Sequence, residues 1–234
     1  MLKLIKLEWK KNNIAKYIYN AFILAAFLCL FVFALAFLGI ANDPDGALDA
    51  VEGMNTISAS IELFTSMSFL IFTSVMLASF IVSAYKNKTM NLMFSYPIKR
   101  QKILSAQMMA VWIFNFIALV VTKLMIYTCV YLGSKSMHSS FVIDFDMGSL
   151  SFYVQLLVKS VVIVSMSFIA LFVGMAMKSS KATIITSFLL IFLTQANVGD
   201  FSLAGNAVFP AILTIISFVF AGLSILNAET KDIM

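Results

Sequence analysis

The sequence predicts an all-α membrane protein with about six transmembrane helices. Of its 234 residues, 62% are hydrophobic and only 12% are charged, and the mean hydropathy is +0.99. Soluble domains are about 45–50% apolar and about 25% charged, so a soluble fold of this size could not bury so much apolar surface. The length suits one compact domain covering residues 1–234.

Six apolar segments of spanning length follow one another along the chain. A helix needs about 20 apolar residues to cross the hydrocarbon core. The first segment is longer than the core of a secretory signal peptide, about 7–15 residues, and we interpret it as a retained span. The predicted spans are residues 17–40, 63–85, 103–132, 152–177, 182–198 and 207–227.

Basic residues fix the predicted orientation, because Lys and Arg accumulate in cytoplasmic segments. An even number of spans puts both ends on one side, and that side carries 13 of the basic residues outside the spans, against only Lys135 opposite. The first outer loop is acidic. Its members are Asp43, Asp45, Asp49, Glu52 and Glu62. Both termini are therefore predicted to be cytoplasmic. The net charge of +5 follows from this topology and does not indicate nucleic-acid binding.

The N-terminal segment, residues 1–16, predicts an amphipathic helix lying in the membrane interface. Lys3, Lys6 and Lys10 recur at helical spacing and share a face. The apolar residues of the neighbouring face are Leu2, Ile5 and Trp9. Such a helix lies along the headgroups before the chain enters the bilayer. It either anchors the chain or has a mechanical role.

The cytoplasmic loop between the second and third predicted spans contains a short apolar helix between basic flanks. Met90, Met93 and Phe94 lie at helical spacing, and Pro97 disfavours helix at the residue before it. A cytoplasmic helix with an apolar face fits a groove on a partner protein. The alternative is a basic loop whose apolar side lies on the lipid.

The run T-M-N-L-M-F-S-Y-P-I-K-R-Q-K-I-L in this loop resembles the first cytoplasmic loop of type 2 ABC exporter permeases, typically E-x-x-x-G-T-x-x-x-L-L-S-x-P-I-x-R-x-x-I. The matching residues are Thr89, Leu92, Met93, Ser95, Pro97, Ile98, Arg100 and Ile103 or Leu104. Ala84 and Lys88 depart from the acidic residue and the glycine of that pattern. The layout is most similar to the small permeases of bacitracin and lantibiotic export or immunity systems.

The resemblance implies a permease subunit in the bacterial plasma membrane. A coupling helix, about residues 86–95, would seat on a separate cytoplasmic ATPase that binds ATP and magnesium. A second permease copy or paralogue would complete the path for an amphipathic or peptide-like antimicrobial substrate. This chain would hold no cofactor and would not itself be an enzyme. The implied ATPase-coupling residues are Thr89, Met90, Met93, Phe94, Pro97 and Arg100.

Two lysines lie within the predicted spans and mark a possible translocation path. A charge deep in a bilayer costs about 2.5–3.5 kcal/mol on insertion scales. Lys123 and Lys159 either extend to the headgroups or face a wet vestibule, with Gln155 one helical turn from Lys159. Asn115 and Thr122, seven residues apart, would mark the inward face of the third span, or else bond neighbouring helices.

Several chemistries find no support in the sequence. The segment 174–179 lacks the second glycine of a Walker A motif, there is no HExxH, and Cys29 and Cys129 have no metal-ligand spacing. Two other functions are considered: a non-transporting immunity or sensor partner, and an ion-coupled carrier. A carrier requires an acidic group inside the membrane, and the predicted spans contain none.

Overall fold

A computed structural model describes residues 2–37, 57–86, 100–137, 145–195 and 208–230. Within these ranges every regular element is a helix. In chain order they are α1 (Leu2–Lys11), α2 (Ile14–Phe37), α3 (Ile57–Leu77), a π-helical segment (Ala78–Val82), α4 (Ser83–Lys86), α5 (Arg100–Met137), α6 (Leu150–Ala176), α7 (Ser180–Gln195) and α8 (Val208–Thr230).

Four stretches of the described helices are long and apolar enough to cross a membrane. They are Ile14–Ala36, Ile57–Val82, Gln101–Lys135 and Leu150–Ala176, and Ser180–Phe192 and Ile212–Leu226 are shorter apolar helices. These helices agree with the predicted class, a helical membrane protein. The count of six spans stays a prediction, as does the single domain covering residues 1–234.

The helix boundaries differ from the predictions in two informative places. The second predicted span starts at 63, whereas α3 begins at Ile57, so Glu62 lies inside the helix and not in a loop. The predicted interfacial helix 1–16 ends instead at Lys11. Asn13 has a φ of 48°, a left-handed conformation that asparagine tolerates, and it ends the first helix. The predicted coupling helix falls almost wholly on residues 87–99, outside the described ranges.

The chain divides into two compact units. Unit 1 comprises residues 1–14, 69–116 and 161–234, and unit 2 comprises residues 15–68 and 117–160.

Within unit 1, the N-terminal helix α1 is hydrogen-bonded to α5. Trp9 donates its indole N–H to the backbone carbonyl of Ala110, with an N···O distance of 3.1 Å, and Ile5 is buried. The side chains of Lys3, Lys6 and Lys10 are exposed. Within α1 these three lysines are exposed whereas Ile5 is buried, and the interfacial position of the segment stays a prediction. Its apolar face contacts protein, which explains why a helix of only 10 residues is stable.

The turn between α6 and α7, also in unit 1, brings two helices into close approach. Ser179 donates its backbone N–H to the carbonyl of Gly174, at 3.1 Å, and Lys178 has a φ of 50°. A Cβ placed on Gly174 would lie 3.4 Å from the Cα of Thr183 and closer still to its side chain. Glycine at this position permits the two helices to pack closely.

Aromatic contacts join the helices of unit 2. Phe31 and Phe64 meet edge to face with ring centroids 4.8 Å apart. Tyr127 contacts Phe145 and Phe152 in the same way, each at 4.8 Å. Edge-to-face pairs place the positive rim of one ring against the negative face of the other. These contacts join α2 to α3, and α5 to the start of α6.

Candidate functional site: polar side chains inside apolar helices

A buried ion pair between α3 and α5 is the main polar feature of unit 2. The ammonium nitrogen of Lys123 lies 2.7 Å from Oε2 of Glu62. The Lys123 side chain is fully buried, whereas the Glu62 side chain is 18% exposed. A charge-assisted hydrogen bond of this length is among the stronger contacts in a protein. The pair cancels two charges that would each be costly in an apolar medium.

The hydroxyl groups near the start of α3 are hydrogen-bonded within their own helix. The backbone carbonyl of Glu62 accepts hydrogen bonds from the hydroxyls of Thr65 and Ser66. Thr65 also donates to the carbonyl of Ile61, at 2.6 Å. Hydroxyls bonded within their own helix need no outside partner, so the hydroxyl-rich start of α3 can lie among apolar side chains.

Neither interpretation of Lys123 included a partner within the protein, yet its side chain is fully buried and bonded to Glu62. Its role in a path stays a prediction. The second span as predicted, from residue 63, contains no acidic group, whereas the helix found here does. Glu62 belongs to the candidate span Ile57–Val82. The sequence boundary was misplaced because a charged residue appeared to end the apolar run.

The other candidate path residues differ in their burial. Lys159 and Gln155 are exposed on α6. Asn115 and Thr122 are buried. Thr122 donates to the carbonyl of Ala118 on its own helix, at 2.8 Å. Their role in a path stays a prediction.

Asn115, in unit 1, is only partly satisfied. Its amide nitrogen donates to the carbonyl of Val111 at 2.9 Å and lies 3.3 Å from the sulfur of Met76. Its oxygen has no hydrogen-bond partner among the described residues. The contact with Met76 shows that this face of α5 meets α3, so Asn115 lies inside the protein.

Sequence reasoning missed Gln107, and it placed Glu62 in a loop. Gln107 is fully buried, and within the described part of the chain neither its amide nitrogen nor its oxygen has a partner. The same holds for the hydroxyl of Ser74. The signal for Glu62 was available, because apolar residues continue upstream of it and Lys123 calls for an opposite charge.

Of the implied ATPase-coupling residues, the structure describes one. Arg100 is the first residue of α5. Thr89, Met90, Met93, Phe94 and Pro97 lie outside the described ranges. Among the described residues, no group of three or more His, Cys, Asp or Glu side chains could hold a metal ion.

Comparison with known proteins gives one informative similarity. The chain is 27% identical to the uncharacterized protein YcbO of Bacillus subtilis (strain 168) over 237 residues, which cover 99% of this chain and all of that protein. No family model matches the chain, and no solved structure matches it. The similarity therefore covers almost the full length of both chains. The class that the fold defines is a helical protein in which four helices among the described residues are long and apolar enough to cross a membrane.

Proposed function

We propose that the chain is the permease subunit of a bacterial ATP-driven exporter, with six spans and both termini in the cytoplasm. The observation that carries the proposal is the loop sequence from Thr89 to Leu104, with its similarity to the coupling loop of type 2 ABC exporters. The placement of Arg100 at the start of α5 supports it. A force applied to the loop would then act directly on a long helix.

The contacts of α5 suit it to transmit such a force. It has 38 residues and so extends about 57 Å, compared with about 30 Å for the hydrocarbon core. In unit 1, Trp9 ties the surface helix α1 to Ala110 of α5. In unit 2, Lys123 ties α5 to Glu62 of α3. Within unit 1, movement of α5 would therefore carry α1 with it, and within unit 2 it would carry the start of α3.

The partners follow from this function. A cytoplasmic ATPase binds the loop through Met90, Met93 and Phe94, and it supplies ATP hydrolysis with magnesium. A second copy of the chain, or a paralogue, completes the substrate path. The substrate is amphipathic or peptide-like, such as an antimicrobial peptide, because the path lies among apolar helices with few charged groups.

The test is recovery of the ATPase with the tagged chain from its native host in mild detergent. The double variant Met93→Asp and Phe94→Asp should abolish recovery of a stoichiometric ATPase while leaving the amount of inserted protein unchanged. The matched control is Met177→Asp, which changes an exposed methionine at the α6–α7 turn and should leave recovery unchanged. Undiminished recovery with the double variant would remove the coupling-loop assignment.

A second candidate function, an ion-coupled carrier, is favoured by one observation. Glu62 supplies the acidic group inside a candidate span that such a carrier requires, and its side chain is partly exposed. A carrier would move substrate in proteoliposomes under a proton gradient without ATP, and Glu62→Gln would abolish this movement. Absence of both gradient-driven movement and a bound ATPase would leave a non-transporting membrane partner as the function.

A further inference from the structure

Both cysteines of the chain lie in unit 2, and the proposed function uses neither of them. Cys29 is buried on α2, whereas Cys129 is exposed on α5. The two residues are far apart in the sequence, and nothing in their spacing relates them. The packing of α2 against α5 does relate them, because it brings the two thiols together.

A close contact between α2 and α5 lies one helical turn beyond the two cysteines. A Cβ placed on Gly133 would collide with the ring of Phe33, so the backbone of α5 lies directly against α2 at this point. Phe33 follows Cys29 by four residues, and Gly133 follows Cys129 by four residues. Residues four apart share a face of a helix. Each cysteine therefore lies on the side of its helix that meets the other helix.

The two cysteines also lie at the same level along their helices. Among the described helices α2, α3 and α5 are consecutive candidate spans, and consecutive spans cross a membrane in opposite directions, so α2 and α5 run in the same direction. One turn back from the contact of Phe33 with Gly133, the two helices therefore present Cys29 and Cys129 to each other. The two thiols interact through a side-chain hydrogen bond. Cysteines placed in this way on adjacent helices can be joined without large movement of the backbone.

We propose that Cys29 and Cys129 are a redox-active thiol pair, which an oxidant containing a disulfide converts into a covalent bond between α2 and α5. The exposed Cys129 reacts first: its sulfur bonds to one sulfur of the oxidant, and the other leaves as a thiol that takes up the Cys129 proton. The sulfur of Cys29 then bonds to that of Cys129, and the second half of the oxidant leaves as a thiol with the Cys29 proton. The two cysteines are oxidised, and the disulfide of the oxidant is reduced to two thiols.

The position of Cys129 gives the oxidant access to the pair. Cys129 lies in the last third of α5, which ends at Met137, and the predicted orientation puts this end on the outer side of the membrane. Disulfides form and persist in oxidising surroundings outside the cytoplasm. The pair does not depend on the exporter function, since a carrier or a binding partner would contain it equally. Its test and the recovery of an ATPase therefore fail independently.

The bond fastens a helix that is otherwise weakly held. Among the described residues, α2 is the least buried of the four candidate spans. In the reduced chain, α2 is held to α5 only by non-covalent contacts such as that of Phe33 with Gly133. In the oxidised chain the two helices are linked and cannot separate. The thiol pair therefore acts as a reversible lock on the movement of α2 against α5.

The direct test treats the reduced full chain in lipid nanodiscs with dipyridyl disulfide, which releases a coloured thiopyridone each time a protein thiol reacts. We expect two thiopyridones per chain, an intact mass lower by two hydrogen atoms, and no pyridyl group retained. The matched control Cys29→Ser should release one thiopyridone and retain a pyridyl group on Cys129. An unsubstituted chain that does not react, retains a pyridyl group or becomes linked to a second copy through Cys129 would overturn the proposal.

Thermal unfolding tests the lock itself. A disulfide between α2 and α5 closes a long loop of the unfolded chain, so we expect the oxidised chain to unfold about 5–15 °C above the reduced chain. A reductant should reverse the shift. Cys129→Ser, treated in the same way, is the control and should keep its midpoint. An unchanged midpoint in a chain whose mass shows the internal disulfide would overturn the fastening of α2 to α5.

Discussion

Helix α5 carries buried polar side chains in both units, and the two sets differ in how their polar atoms are paired. In unit 2, Lys123 finds an opposite charge on Glu62, and Thr122 bonds to its own helix. In unit 1, Gln107 and Asn115 keep amide atoms without partners among the described residues. The difference shows that the buried charge of unit 2 is compensated by a partner side chain, whereas the buried amides of unit 1 are incompletely bonded among the described residues.

The largest expected effect tests how strongly the fold depends on pairing the buried Lys123 with Glu62. Glu62→Gln leaves the fully buried Lys123 without its counter-charge, and we expect a loss of about 3–5 kcal/mol in unfolding free energy. Lys123→Met should cost less, because the carboxylate it leaves behind is 18% exposed. The measurement is unfolding in nanodiscs, with the double variant Glu62→Gln and Lys123→Met closing the cycle. Equal costs for the two single variants would contradict the asymmetry of burial.

The second prediction concerns the close packing of α6 against α7 in unit 1. Gly174→Ala places a Cβ against Thr183, and we expect a loss of about 1–3 kcal/mol because overpacking forces the helices apart. Gly222→Ala is the matched control. It lies in α8 with nothing within 4 Å of the added Cβ, so it should be neutral or stabilise by about 0.5–1 kcal/mol. A gain for both variants would mean that helix propensity, and not close approach, decides.

The third prediction tests how α1 is held. Trp9→Phe keeps an aromatic ring but removes the N–H that bonds to Ala110. We expect a loss of about 1 kcal/mol and faster proteolysis near residues 12–13, measured by limited digestion in nanodiscs. Unchanged digestion would show that the apolar contact of Ile5 suffices.

The smallest effect is expected at Lys159, which contrasts with Lys123 in the same unit. Its side chain is exposed, so Lys159→Met breaks no buried contact. We expect a change within about 0.5 kcal/mol, measured by the same unfolding assay. A loss as large as that of Lys123→Met would place Lys159 in the buried network.

The apolar spans were predictable because hydropathy and length alone determine them. Lys123 was also identified, since an isolated charge in an apolar run is unusual. Its partner was not, because Glu62 lies only five residues after the start of α3, and a charge near the end of an apolar run resembles a loop residue. Gln107 was missed for a different reason: it lies inside the predicted third span, but only four residues after its start at 103, where polar residues are common. Which side chains meet between helices depends on rotation and register, which hydropathy does not encode.

The ion pair has a consequence for how the protein is made. Helix α3 emerges from the ribosome well before α5, and each alone carries a charge that opposes insertion into lipid. Glu62 can be neutralised by Lys123 only after 61 further residues have been synthesised. Stable insertion of α3 is therefore expected to wait for α5, so that the two helices leave the translocon as a pair.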